Sequence, residues 1–406
     1  MRSTRRNVYV SLALAVTAAV GGGAAVVTAP GATPQHTVAE RRLEALEGRG
    51  SRPDDIRFGV QLDWATDSPR DFEKRSKLRP AVYGEFLEFP FRPEVAVWLD
   101  DKIQAVKAAN GIFMLTLQPG LGVDGVEGLK AVTPKALVDL GEVLRRWNGE
   151  GVPVIVRYGQ EMNGSWYPWD QQPKEYVKSF RRVADAVHAA PYSRMLWSPN
   201  EGGGYPYHGG RYEAKPGTKA FSILDTNNDG RLTQKDDPYK PYWPGSQYVD
   251  WVGLSLYHFG HKYPWKANEL PENDKFTGKM EGKFHGKNGD ERPVPNFYQR
   301  YAEGKNKPMA VSETSALFNL AVAHPGAKGA SNEAIKSAWM DQVLAADIPQ
   351  RYPELRLICW FEQSKIEPDV QGNPVRGVDW RITADASVLA AFKARLPEWL
   401  AMAPHK

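Results

Sequence analysis

Eight short apolar runs, alternating with stretches of helical spacing, constrain this chain more than any other feature. The runs are residues 56–62, 81–86, 112–117, 152–156, 194–197, 249–257, 308–311 and 355–361. Between and after them, apolar positions recur with helical spacing over residues 93–109, 134–147, 173–190 and 384–400. The first of these ends at Asn110-Gly111, a stop signal, and the second opens on Thr133-Pro134, a capping residue followed by a first-turn proline. Strands that alternate with helices build a parallel sheet with helices outside it. Eight such units close on themselves as a (β/α)8 TIM barrel, an α/β fold whose active face lies at the C-terminal ends of the strands. Two connections are longer than ordinary loops, residues 202–245 after the fifth strand and 258–307 after the sixth. Both leave from C-terminal strand ends, so both are expected over the active face.

Composition narrows the function classes. Of 406 residues, 42% are hydrophobic and 25% charged, which is globular. The net charge of +4 is spread along the chain, which argues against nucleic acid as a partner. Thirteen tryptophans, many at strand ends, lean towards carbohydrate, because pyranose C–H faces stack on aromatic rings. The single cysteine, Cys359, lies in an apolar run, so no internal disulfide forms and the thiol reads as a buried hydrophobe. The N-terminus carries Arg2, Arg5 and Arg6, then an uncharged run to Thr28. Residues 1–33 read as a secretory signal peptide, with an uncleaved membrane anchor as the alternative because the run approaches the ~20 residues that span a bilayer. Residues 34–55 read as a linker with one short helix, and residues 56–403 as the catalytic barrel.

The chemistry concentrates in residues 157–169, RYGQEMNGSWYPW, directly after the fourth strand. Glu161 stands there among Arg157, Gln160, Asn163, Trp166 and Trp169. A second acid, Glu313, follows the seventh strand. Strands four and seven of a closed barrel bring their ends to one mouth. Hydrolysis of a glycosidic bond needs such a pair: one carboxyl protonates the leaving oxygen, and the other attacks the anomeric carbon or activates water. Asp63, Trp64, Glu85, Glu88 and Gln118 end the first three strands and are candidates for the cleft wall. Asn200, Glu201, His258 and Glu362 are weaker candidates, as are Asp379 and Trp380. His258 and His261 have no third ligand at metal-binding spacing.

The stretch around Glu161 resembles the acid/base motif of glycoside hydrolase family 26, the β-mannanase family of clan A, which carries Arg, then His-Glu-Met-Asn-Gly, then Trp. Ser312-Glu313-Thr314 resembles that family's nucleophile strand. The resemblance implies a TIM barrel, Glu161 as acid/base, Glu313 as nucleophile and retention of configuration. It also implies that Tyr257 hydrogen-bonds the nucleophile, that Trp360 floors the subsite at the cleaved bond, and that Asn163 and Trp166 hold the acid/base and stack sugar. Gln160 departs from the family's His. Arg157 has two readings, an ion pair that positions a carboxylate or a direct sugar contact.

A separate signal lies in the first long connection. Asp225, Asn227, Asp229, Arg231 (by its carbonyl), Thr233 and Asp236 occupy positions 1, 3, 5, 7, 9 and 12 of an EF-hand loop, with Gly230 at the turn. Asp at the last position resembles the dockerin variant. A structural Ca2+ is expected there, and no cofactor for catalysis. The expectation is therefore a secreted, monomeric, retaining glycoside hydrolase whose partner is a β-linked polysaccharide. Endo-β-1,4-mannanase is the first reading. A β-1,3/1,4-glucanase, a xylanase, or a carbohydrate-binding barrel without turnover are the alternatives.

Overall fold

A computed structural model describes residues 37–48, 55–121, 127–323, 328–369 and 374–403. The expected signal peptide, residues 1–33, lies outside the described residues, as do residues 34–36 and 49–54 of the expected linker. Among the described residues, no helix is long and apolar enough to cross a membrane.

Eight parallel strands form the barrel: β1 (Ile56–Leu62), β2 (Val82–Phe89), β3 (Ile112–Pro119), β4 (Val154–Tyr158), β5 (Ser193–Trp197), β6 (Trp251–Ser255), β7 (Met309–Thr314) and β8 (Leu355–Glu362). Each pairs with the next, and β8 closes the ring on β1 through Arg57↔Leu357 to Leu62↔Glu362. This is a (β/α)8 TIM barrel, as the alternation of runs requires. Val82, Met114, Ile155, Leu196, Ala310, Leu357 and Cys359 fill the barrel interior, while Phe113, Val154, Val156, Ile358 and Trp360 belong to the core under the helices. That split is the two-residue alternation of a strand.

Towards the C-terminal end the interior turns polar. Gln61 donates from Nε2 to the Ser312 carbonyl (3.1 Å), and the Ser198 hydroxyl bonds that of Ser312 (3.0 Å). Gly84 leaves room for this layer, since a Cβ there would stand 1.8 Å from Gln61 Oε1.

The opposite end is closed by α1 (Val38–Leu46), the one short helix expected in the linker. Thr37 caps it in a reciprocal capping box with Glu40. It is docked and not a free tether. Leu46 enters the interior cluster, Arg42 donates to the Gly151 carbonyl (3.1 Å), and Arg194 pairs with Glu47 (2.7 Å).

Around the ring run α2 (Pro69–Ser76), α3 (Pro93–Ala108), α4 (Pro134–Gly149, capped by Thr133) and α5 (Pro173–His188). The two long connections carry α6 (Lys219–Leu224) and α7 (Lys275–Met280). They are tied together by Lys279 with Glu201, and by the Arg292 N–H to the Gly203 carbonyl (2.9 Å). After β7 come α8 (Asn332–Val343) and α9 (Ile348–Arg351), and after β8 an antiparallel hairpin of Ser364–Pro368 and Pro374–Asp379. The last helix, α10 (Ala386–Ala394), stops short of the expected residue 400. Pro397 disfavours helical backbone before it, and Leu400–Ala401 instead pairs with the start of β1.

Candidate active site

Glu161 is aimed by backbone geometry. Gly159 and Glu161 both take left-handed φ angles, +52° and +57°. For a non-glycine residue this conformation costs about 1–3 kcal/mol and is held only where surrounding contacts fix it. Here the Glu161 N–H is anchored on the Ser198 carbonyl (3.0 Å), and its own carbonyl accepts from Gly164 (2.7 Å). The turn lifts the carboxyl out of β4 and over the mouth.

Glu313 is aimed by a bulge. Val311 pairs with Leu254 and Ile358, but Glu313 pairs with Ser255 and Thr314 with Trp360. So between Val311 and its C-terminal end β7 carries one residue more than each neighbour, and the extra residue lets Ser312 and Glu313 both serve the mouth. Bulges of this kind re-aim side chains beside active sites.

The two carboxyls meet around one hydroxyl. Ser255, at the end of β6, lies 3.5 Å from Glu313 Oε1 and is close enough to the Glu161 carboxyl to favour its ionised form. Arg157, fully buried on β4, pairs with Glu313 and donates from its second nitrogen to Ser255 (2.7 Å). The Tyr257 hydroxyl donates to Glu313 Oε2 (2.6 Å). The Trp166 indole donates to Glu161 Oε2 (3.2 Å). Burial first, and the charge of Glu313 second, push the Glu161 carboxyl up to about 7.

Two cavities open from this point. One, of about 430 Å3, is lined by Glu161, Trp166, Asn200, Tyr257, Trp265 and Trp380 among others. The other, of about 710 Å3, runs over the ends of β1–β3 and is lined by Asp63, Trp64, Glu85 and Gln118 among others. Glu313, Tyr167, Phe361 and Lys365 line both, so the cavities are two arms of one cleft with Glu313 at the junction.

Several expected sugar contacts lie elsewhere. Trp360 is a core residue: it faces outward on β8, packs on Phe392 and donates to the Trp380 carbonyl (2.9 Å). Strand alternation gives the inward position to its neighbour Phe361, and Trp380 supplies the second ring. Trp169 is fully buried, stacked on Tyr167 (4.5 Å) and bonded to the Gln160 carbonyl (2.8 Å), so it supports Tyr167 from behind. Asn163 is buried and clasps the Asn200 backbone through both ends of its amide (2.8 Å each), stapling the loops after β4 and β5. Gln160 is buried, lines neither arm, and has no partner among the described residues at either end of its amide. Arg157 resolves to the ion-pair reading. Asp63, Trp64 and Gln118 do line the cleft, although Asp63 also holds its own turn through Ala65 N and Thr66 Oγ1.

The weaker candidates divide in the same way. Glu201 lines the smaller arm but is held by Lys279 and the Gly203 N–H (2.9 Å), and Glu88 pairs with Arg92 (2.9 Å). Glu362 accepts the Ile382 N–H (2.8 Å) and fixes the loop after β8. Asp379 pairs with Arg381 (2.7 Å). The His258 ring bonds the Glu269 carbonyl through Nε2 (2.8 Å), and burial drives its pKa down to about 3, so it stays neutral.

In the loop of Asp225 to Asp236, the side chains take up backbone amides. Asp225 accepts from Asp229 (3.0 Å) and Gly230 (2.8 Å), Asn227 from Asp229 (3.0 Å), and Asp229 from Arg231 (2.9 Å). Asp236 accepts from Thr226 (2.7 Å) and Thr233 (2.8 Å), and Gly230 has φ +80°. The oxygen-only donor set suits a hard cation. Among the described residues, no group of three or more His, Cys, Asp or Glu side chains is placed to hold a metal ion.

No family model matches the chain. Endoglucanase H of Acetivibrio thermocellus is 21% identical over 305 residues, which covers 73% of this chain and 25% of that protein. The chain thus spans about a quarter of that relative's length. Among solved structures, GH26C of a Muricauda species superposes with a TM-score of 0.52 at 12% identity, covering 90% of this chain and 91% of the other. The catalytic domain of a Bacillus sp. JAMB-750 GH26 endo-β-1,4-mannanase superposes with a TM-score of 0.51 at 18% identity, covering 90% of both chains. At these identities the likeness is one of fold.

Proposed function

We propose that this chain is a retaining glycoside hydrolase of the family 26 type that cleaves a β-linked polysaccharide, with endo-cleavage of β-1,4-mannan as the first reading. The observation that carries the proposal is the pair Glu161 and Glu313, set around the Ser255 hydroxyl at the junction of a two-armed cleft. Retention rests on the resemblance of the two motifs to the acid/base and nucleophile of family 26. The names of the structural neighbours and of the endoglucanase support mannan and glucan as substrates to test.

In this reading Glu161, protonated, gives its proton to the glycosidic oxygen while Glu313 attacks the anomeric carbon. The leaving sugar departs with that proton. Glu161, now ionised, takes a proton from water, which displaces Glu313 from the glycosyl ester and restores both groups. Arg157 and Tyr257 hold the nucleophile and Trp166 orients the acid. Mannan, cellulose, mixed-linkage glucan and xylan, digested in parallel with product analysis, test the assignment. Release of β-configured oligosaccharides from one or more is expected, and α-configured first products would overturn retention. A xylanase or glucanase is the same chemistry on another sugar. A binder without turnover is disfavoured because both carboxyls are present.

The reading also takes the chain as secreted, on the strength of the arginines and the uncharged run that open its sequence. It assigns a stabilising Ca2+ to Asp225, Asn227, Asp229, Arg231, Thr233 and Asp236, outside the chemistry. A chelator is expected to lower Tm by several degrees, added Ca2+ to restore it, and Asp225→Ala to abolish the response. An unchanged Tm on chelation of the wild type overturns the calcium assignment.

A further inference from the structure

Trp98 is the only tryptophan among the large hydrophobic side chains that stay exposed in the described residues, at 63%. It lines the larger arm of the cleft. Asp101, Lys102 and Ala105 line the same arm, and with Trp98 they follow the spacing of one helical face. One side of α3 is therefore a cleft wall, with an indole at its outer end. Its floor is fixed: the Trp64 indole donates to the Gly84 carbonyl (2.6 Å), carries the Lys102 ammonium 5.4 Å from its ring, and packs edge-on against Phe113. Lys102 also pairs with Glu85 (2.9 Å). Gln118, Asp63 and Asp101 add hydroxyl-bonding groups. A rigid aromatic surface edged with polar groups suits a neutral pyranose, whose C–H face stacks while its hydroxyls bond.

The arms also differ in which acid they contain. Glu313 belongs to both, whereas Glu161 lines the smaller arm alone. The group that protonates the leaving oxygen must stand on the leaving-group side of the broken bond. The smaller arm therefore takes the leaving portion of the polymer, and the larger arm the portion that becomes attached to Glu313.

We propose, building on the glycoside hydrolase reading, that the arm between α3 and the ends of β1–β3 is the glycone side of the cleft, and that Trp98 is a stacking platform for a sugar unit remote from the scissile bond. The enzyme then needs several units on the non-reducing side of the cut and acts within chains.

The test uses the β-1,4-glycan that the wild type cleaves, supplied as its trisaccharide and hexasaccharide, with the hexasaccharide labelled at the reducing end. For Trp98→Ala, the ratio of hexasaccharide to trisaccharide kcat/KM is expected to fall about tenfold, which corresponds to about 1.4 kcal/mol of binding. The fall should appear in KM and not in kcat, and Trp98→Phe should recover most of it. The labelled cut should also move towards the non-reducing end once the remote glycone contact is lost. An unchanged ratio, or a loss confined to kcat, overturns the platform. A cut that moves the other way overturns the assignment of the arms. A wild type that hydrolyses none of these glycans overturns the underlying reading instead, so the two failures are distinguishable.

Discussion

Glu313→Gln is expected to lower kcat by about 10⁴-fold or more on any substrate the wild type cleaves, because the covalent route loses its nucleophile. Its fold should survive. The amide oxygen still accepts from the buried Arg157 guanidinium, and the Tyr257 hydroxyl keeps a neighbour. Glu313→Ala should lose the same activity but also stability. It leaves Arg157, with no exposed surface, as a buried charge without its carboxylate. Breaking a buried pair from one side costs about 3–5 kcal/mol. Circular dichroism melts beside the rate measurements separate the two effects. Azide should restore turnover to the alanine variant and yield the α-configured glycosyl azide, since it then attacks from the vacated side. Sugar release by Glu313→Gln within tenfold of the wild type would remove the nucleophile assignment.

The second large effect is in the pH dependence. The carboxyl of Glu161 sits near 7 because burial and the charge of Glu313 both oppose its ionisation. A general acid works while it holds its proton, so kcat/KM should fall as pH rises through about 7, tenfold per unit well above it. Glu161→Gln should cut kcat by about 10²–10⁴-fold on substrates with poor leaving groups and erase that alkaline limb. Stability moves with the same proton. The folded pKa lies above the unfolded value, so the contribution of protonated Glu161 is complete below the unfolded pKa and is lost as pH rises through the folded one. The Tm of Glu161→Gln relative to the wild type should therefore be higher at pH 8 than at pH 5. A wild-type alkaline limb that persists in Glu161→Gln would assign the proton to another group.

How far the chain could be read without coordinates differs between fold and site. Apolar runs spaced by helical stretches were sufficient for the barrel, because each run must bury both faces and the connections are long enough for helices. Loops were legible in position but not in packing: nothing in residues 34–55 shows that Leu46 will stopper the barrel. The carboxyl pair was legible because Glu161 and Glu313 each fall at the C-terminal end of an apolar run, the first three residues beyond β4 and the second one residue before the end of β7. Their surroundings were less so. In the run LRLICWF, either parity puts a ring in the mouth, and only the pairing of β8 with β1 turns Phe361 inward and Trp360 out. Residues 157–169 looked uniformly like binding chemistry, yet Trp169, Asn163 and Gln160 fold behind the wall. Trp98 left no local mark, since an exposed indole on a helix reads the same whether or not a cleft lies beside it.

Sequence alone settled the class of this protein: eight strands in alternation with helices, a mouth at their C-terminal ends, and two glutamates delivered to it. Those are local properties, written in periodicity and in which residue follows which strand. Tertiary structure decided the rest. The left-handed turn at Glu161 and the extra residue in β7 depend on partners contributed by β5, β6 and β8. The aim of a side chain is set by the register and contacts of neighbours that are distant in the chain, and no local pattern encodes those.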